Sequence, residues 1–180
     1  MGVARLQAET GIEVQWRGFP LHPETPPDGL TLEELFAGRG VDVESVLDRL
    51  RRTAAEVGVP LGDRRRTFNS RRAQELARWA EARGFGDAFR EKTFRAYFVD
   101  GRNLWLPEEL GRIAEAAGLP AREAVESLGN PRWAREVDED WARARRLGVS
   151  AVPTHVLGGR VASGFLPHDV LLRFVQGGEE

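Results

Sequence analysis

Apolar and polar residues alternate over residues 12–17, where Ile12, Val14 and Trp16 are separated by polar side chains. A period of two residues predicts a β-strand with one buried face. The proline-rich stretch 19–29 can neither continue a ladder nor form a helix, so we predict an extended loop there.

The middle of the chain instead has apolar residues at helical spacing. Segments with this spacing begin near residues 43, 73, 85, 107, 121 and 133. Glycine follows four of them, at the position where it commonly ends a helix: Gly58, Gly84, Gly118 and Gly148. The pattern therefore predicts a long, purely helical region.

Two short strands, Thr154–Leu157 and Arg160–Ser163, are predicted on either side of Gly158-Gly159, which is typical of a two-residue hairpin turn. Pro167 then begins a final helix. Strands near both ends with helices between them indicate an α/β fold class. We predict one α/β domain made of residues 1–40 and 145–180, interrupted by an all-helical insertion of residues 41–144.

Composition and charge narrow the class of partner. The 180 residues are 41% hydrophobic and 30% charged, with a formal net charge of -2. With so small a net charge, we expect no general electrostatic attraction to nucleic acid or to an anionic membrane. No apolar run approaches the ~20 residues of a membrane span. The first residues have no apolar run like that of a signal peptide, so a cytoplasmic location is expected.

The chain contains no cysteine, which excludes disulfides, thiolate metal ligands and thiol chemistry within these residues. Its three histidines, His22, His155 and His168, have no metal-ligand spacing, and no metal site is predicted. His155 alone is close enough in sequence to Pro153 to share a cleft with it.

Other conspicuous residues have ordinary structural interpretations. The arginines of 64–66 and 71–72 predict solvated faces rather than a phosphate site, because no aromatic residues are interleaved with them. Asn69 is interpreted as a helix N-cap, with a substrate ligand as the alternative. Four tryptophans are expected in the core or in groove walls: Trp79, Trp105, Trp133 and Trp141.

Five stretches in order resemble one protein family. Residues 148–154, which contain Val152-Pro153-Thr154, resemble the loop of a thioredoxin fold in which the Val-Pro bond is cis and faces the active site. The other four are residues 14–23, Asn69-Ser70 with Ala73-Gln74, Ala96-Tyr97-Phe98 with Ala117-Gly118-Leu119, and residues 161–165. Together they resemble the DsbA family, in its branch of FrnE-like proteins and 2-hydroxychromene-2-carboxylate isomerases.

The resemblance implies a thioredoxin-like fold whose first strand and Cys-x-x-Cys turn are missing here. Members of the family begin with a strand and then Cys-Pro-x-Cys, or a serine variant, whereas Met1–Leu6 resembles the helix just after that motif. The missing strand would lie between strands 12–17 and 154–157, leaving them about 10 Å apart. We therefore expect Met1 to be an internal methionine, with the strand and motif encoded upstream.

The resemblance also implies a function, which is that of a thiol–disulfide oxidoreductase or disulfide isomerase. A thiolate would attack a protein or peptide disulfide held against Val152, Pro153 and Thr154, the implied substrate-binding residues. No catalytic residue is present in these 180 residues. Two alternatives stay open: a glutathione-dependent isomerase, with glutathione as cofactor, or a cysteine-less peptide-binding module. A homodimer also stays open.

Overall fold

The computed structural model describes residues 2–177. Its helices are α1 (Gly2–Thr10), α2 (Leu32–Leu35), α3 (Val43–Glu56), α4 (Arg71–Glu81), α5 (Gly86–Phe94), α6 (Pro107–Ala116), α7 (Ala121–Ser127), α8 (Pro131–Arg146) and α9 (His168–Gln176). Its strands are β1 (Leu30–Thr31), β2 (Arg66–Thr67), β3 (Thr154–Leu157) and β4 (Arg160–Ser163). A π-helical turn, Arg95–Val99, continues α5.

The chain divides into two compact units. One comprises residues 1–21 and 139–180, and the other comprises residues 22–138. Helix α8 begins in the second unit and ends in the first. The domain limits predicted from the sequence, 1–40 with 145–180 and 41–144, stay a prediction.

The unit of residues 22–138 is built on a helical core. In α4 the apolar positions Ala73, Leu76 and Ala80 repeat at helical spacing and are buried. They pack in one cluster with residues of the following helices, among them Trp79, Phe89, Leu110, Ala114 and Trp133. Two of the four tryptophans are thus core residues, which confirms that part of the prediction.

A two-residue ladder joins the start of this unit to the segment before α4. Strands β1 and β2 are antiparallel, with Leu30 opposite Thr67 and Thr31 opposite Arg66. Thr31 then caps α2, because its hydroxyl accepts from the backbone N–H of Glu34 while the Glu34 carboxylate accepts from the N–H of Thr31. The sequence pattern predicted none of these three short elements.

In the unit of residues 1–21 and 139–180, α1 packs against α9. Leu6 and Leu171 are the buried residues of this pair. The imidazole Nε2 of His168 lies 2.7 Å from a carboxylate oxygen of Glu9, which joins the first turn of α9 to the last turn of α1. The hairpin of β3 and β4 has the predicted bounds, so that prediction is confirmed.

The predicted strand over residues 12–17 is wrong. These residues form no ladder, and β3 pairs with β4 alone among residues 2–177. The alternation of the sequence is reflected only in part in the burial of the side chains. Ile12 and Val14 are half-buried, but Trp16 is 39% exposed. An alternating pattern becomes a strand only where a partner completes its hydrogen bonds, and none of the described segments does so.

The helices predicted from periodicity are confirmed, with ends within a few residues of the expected ones. Within the described part of the chain, we find no helix with both the length and the apolar character that crossing a membrane requires.

Candidate functional site

The C-terminal hairpin and the proline loop before it form the candidate site. Strands β3 and β4 pair in one register, with Thr154 opposite Ser163 and Val156 opposite Val161. Gly158 and Gly159 turn the chain with φ angles of 55° and 84°. Two positive φ angles at the central positions are those of a type I′ turn, whose twist matches the strands it joins.

The proline loop continues β3 toward its N-terminus and is tied to the hairpin. The Val152–Pro153 peptide bond is cis, the geometry that the resemblance implies. The carbonyl of Pro153 accepts from the N–H of Gly164 at 2.8 Å, and the Thr154 hydroxyl donates to the carbonyl of Ala151 at 2.8 Å. The loop is therefore held in place while Val152 remains 48% exposed.

The outer edge of β3 carries unpaired backbone groups. Opposed residues in an antiparallel ladder alternate between hydrogen-bonded and non-hydrogen-bonded pairs. Since Pro153 and Gly164 form a hydrogen-bonded pair, the N–H and C=O groups of Thr154 and Val156 point away from β4. No described residue pairs with them.

The face of the hairpin on which Val156 lies is apolar and uncharged. Val156 and Val161 are opposite each other and 40% and 47% exposed, and Phe165 just beyond β4 is 60% exposed. On the same face the hydroxyls of Thr154 and Ser163 hydrogen-bond to each other at 3.0 Å. An exposed apolar surface of this kind is typical of an interaction site.

A buried carboxylate fixes the extended segment that follows α1. Asp140 of α8 is 3% exposed and accepts from the backbone N–H of Gly18 at 3.1 Å and from Nη1 of Arg17 at 3.3 Å. Asp140 was not among the residues predicted to be functional or buried. The available signal was an acidic residue on the apolar face of α8, three positions after the buried Val137.

The structure distributes the three histidines over separate elements. His22 is in a turn, His155 is in β3, and His168 begins α9, where it contacts Glu9. The described residues contain no group of three His, Cys, Asp or Glu side chains that could hold a metal ion.

Two of these histidines should make stability depend on pH. Burial lowers the pKa of His155 below its usual 6.5, and burial together with Arg39 does the same for the pKa of His22. Both rings are neutral in either state above pH 6.5, so they contribute nothing to a pH dependence there. As the pH falls below 6.5, the unfolded chain takes up protons first, and stability is lost until the folded-state pKa values are passed.

We expect the melting temperature to fall between about pH 7.5 and about pH 5.5, and to fall less in the double variant His22→Gln, His155→Gln. Circular dichroism melts of both proteins at the two pH values measure this. An equal fall in both proteins would contradict the assignment.

Asn69 serves the structure of its own unit. Its amide nitrogen donates to the carbonyls of Pro23 and Thr25 at 3.1 and 2.9 Å, and its oxygen accepts from the N–H of Arg71 at 2.9 Å. It thus supports the start of α4, although Ser70 occupies the N-cap position itself.

The arginine runs are engaged with neighbouring groups. Arg71 donates to Glu75, Asp138 and the carbonyl of Ala134, and Arg72 lies 4.1 Å above the ring of Trp105. Arg71 and Arg72 are therefore partly buried rather than on the solvated face that was predicted, whereas Arg65 and Arg66 are exposed as predicted.

Comparison with known proteins assigns the family. The profile described as a DSBA-like thioredoxin domain matches residues 1–176, so the chain belongs to this family. The architecture is accordingly the thioredoxin-like α/β fold with a helical insertion, as predicted. A search of curated proteins finds no match.

Two solved structures show how closely the fold is shared. A probable DsbA oxidoreductase from Streptomyces coelicolor is 29% identical, with a TM-score of 0.86 over 99% of this chain and 85% of that one. A 2-hydroxychromene-2-carboxylate isomerase is 20% identical, with a TM-score of 0.75 over 97% of this chain and 84% of that one. The second similarity is one of fold.

Proposed function

We propose that this chain provides the substrate-binding part of a DsbA-type thiol–disulfide oxidoreductase. The exposed Val152, in a loop that the hydrogen bonds of Pro153 and Thr154 hold in place, carries this proposal. Membership of the family and the 29% identity to a probable DsbA oxidoreductase support it.

The reactive thiol is supplied from outside these 180 residues, because they contain no cysteine. In the exchange, a thiolate attacks one sulfur of a substrate disulfide and the other sulfur leaves as a thiolate, giving a mixed disulfide. The role of this chain is to hold the polypeptide around that disulfide in an extended conformation. Val152, Pro153 and Thr154 are the proposed contacts.

Holding an extended polypeptide requires backbone hydrogen bonds and shallow apolar contacts. The backbone N–H and C=O groups of Val152, which form no backbone hydrogen bond with the described residues, provide the first, and the side chains of Val152 and Val156 provide the second. Neither kind of contact depends on one particular side chain of the substrate. We therefore expect the chain to bind many different unfolded, apolar segments.

Binding of a cysteine-blocked peptide tests the proposal. We expect the fluorescein-labelled, carboxymethylated B chain of insulin to bind, and Val152→Asp to weaken its binding about tenfold, or about 1.4 kcal/mol, by burying a charge against the peptide. Fluorescence anisotropy measures the affinity.

Val59→Asp is the matched control, because Val59 is 46% exposed in the other unit while Val152 is 48% exposed. Equal effects of the two substitutions, or none at Val152, would contradict the proposed site. In parallel, the chain alone should not accelerate reduction of insulin by dithiothreitol.

The glutathione-dependent isomerase is not proposed. Its support is a similarity of fold at 20% identity, and no contact among the described residues favours glutathione as a cofactor.

A further inference from the structure

A small cavity lies in the unit of residues 22–138, where the first half of α4 meets the start of α6 and the end of α7. Its volume is about 280 Å³. Ligand cavities of proteins measure about 300 to 1,000 Å³, so this one suits a small ligand. All of its lining residues belong to this one unit, so its walls do not depend on either end of the chain.

Three charged side chains of α4 line the cavity, and two of them are paired with each other. Nε of Arg71 donates to the carboxylate of Glu75 at 2.6 Å. The other two nitrogens of Arg71 donate to Asp138 at 2.7 Å and to the carbonyl of Ala134 at 2.9 Å. All three nitrogens of Arg71 are therefore engaged within the unit.

Arg72, the third charged residue, has no counter-charge. It is half-buried, its Nη1 donates to the carbonyl of Trp105 at 2.9 Å, and its guanidinium lies 4.1 Å from the centre of the Trp105 ring. It forms no ion pair with any described residue. A charge removed from water is usually paired, so a half-buried guanidinium at a cavity wall favours an anionic ligand.

The remaining donors of Arg72 have the geometry that a carboxylate requires. Nε and Nη2 have no acceptor among the described residues, and they lie on the same edge of the guanidinium. Two parallel N–H groups on one edge match the two oxygens of a carboxylate. Because Trp105 already holds the guanidinium by its ring and its carbonyl, little side-chain freedom would be lost on binding.

The rest of the wall is largely apolar. Pro107, Val125 and Leu128 line the cavity beside Trp105. Val125 is 37% exposed, so the cavity opens to solvent. A ligand that fits these walls carries one carboxylate and a short apolar group.

We propose that this cavity binds a small apolar carboxylate, with Arg72 as the residue that pairs with its charge. Such a group could belong to a free organic acid or to the C-terminus of a peptide. The cavity and the residues at Val152 lie in different units, so this inference goes beyond the proposed function and does not depend on it.

Isothermal titration calorimetry of the full chain tests the proposal with a matched pair of probes. We expect 3-phenylpropionate to bind with a Kd of about 1 mM or below. The uncharged 3-phenylpropionamide has almost the same shape, and it should bind at least about tenfold more weakly because it lacks the charge that pairs with Arg72. No binding of 3-phenylpropionate up to about 10 mM, or equal binding of the two probes, would overturn the proposal.

Arg72→Gln tests the assigned residue. It should weaken binding of 3-phenylpropionate at least about tenfold, the usual effect of losing a hydrogen bond to a charged group. Arg83→Gln is the matched control, because Arg83 also lies 4.1 Å from the centre of a tryptophan ring, that of Trp79, in the same unit but away from the cavity. It should leave the Kd within about twofold of the wild type.

Equal effects of the two substitutions would overturn the role of Arg72. Melting by circular dichroism verifies that each variant folds, and the comparison of acid and amide needs only the wild-type chain.

Two further probes distinguish the sources of the carboxylate. Tighter binding of N-acetylphenylalanine than of 3-phenylpropionate would support the cavity and identify a peptide C-terminus as the source, whereas the reverse order would support it and identify a free acid. Inorganic phosphate should bind more weakly than either acid, because it has no apolar group for the rest of the wall. Tighter binding of phosphate at this cavity would overturn the assignment of an apolar carboxylate.

Discussion

Asp140→Ala is expected to lower the free energy of unfolding by about 2 to 3 kcal/mol, because it removes a buried carboxylate that accepts two hydrogen bonds. The carboxylate is 3% exposed and accepts from the N–H of Gly18 and from Arg17. Alanine would leave the N–H of Gly18 without this acceptor, whereas Arg17 would keep its 2.7 Å hydrogen bond to Gln15. Urea unfolding followed by tryptophan fluorescence measures the loss.

Asp138→Ala is the control for Asp140→Ala. Both carboxylates lie on α8 and pair with an arginine, but the side chain of Asp138 is 65% exposed and that of Asp140 is 4% exposed. An exposed pair of this kind contributes up to about 1 kcal/mol. If the two substitutions cost the same, the burial of Asp140 does not have the stabilising role assigned to it.

Gly29→Ala is expected to be the second strongly destabilising change. Gly29 has a φ of 74°, and a Cβ there would lie 2.4 Å from the carbonyl oxygen of Thr67 and 2.5 Å from the ring of Phe68. The substitution therefore combines a left-handed backbone with a collision against β2. The chain would have to open the β1–β2 ladder to accommodate it.

Gly38→Ala separates the cost of the left-handed backbone from the cost of the collision. Gly38 has a φ of 73°, but a Cβ there meets nothing within 4 Å. Gly38→Ala should lower the free energy of unfolding only by the cost of the backbone conformation, about 1 to 2 kcal/mol. Gly29→Ala should lower it by about 1 to 3 kcal/mol more, because of overpacking. Equal losses in urea unfolding would show that the close approach at Thr67 relaxes without cost.

The prediction from the sequence and the structure agree most closely at the C-terminal hairpin. Its strands, its two-residue turn and the helix after it were all predicted from residues within a few positions of one another. A type I′ turn needs only two residues with positive φ, and Gly158-Gly159 supplies them. The helices were predicted for the same reason, because a periodic apolar face and a terminating glycine are local features of the sequence.

The segment 12–17 shows where local pattern is insufficient. Its alternation is as regular as that of a strand, but pairing depends on a partner distant in sequence. In the structure this segment is instead fixed by Asp140, more than 120 positions away. The two-residue strands β1 and β2 escaped prediction for a related reason, since they are too short to show a period and depend on a contact between residues 30 and 67.

The sequence by itself therefore determined the helices, the hairpin, the family resemblance and the lack of any thiol in these residues. Only the tertiary structure decided that residues 12–17 join no ladder within residues 2–177, that Asn69 secures a loop and that Asp140 is buried. It also revealed the exposed valine face that β3 and β4 share. The first group depends on neighbouring residues, whereas the second depends on which distant groups complete one another's hydrogen bonds.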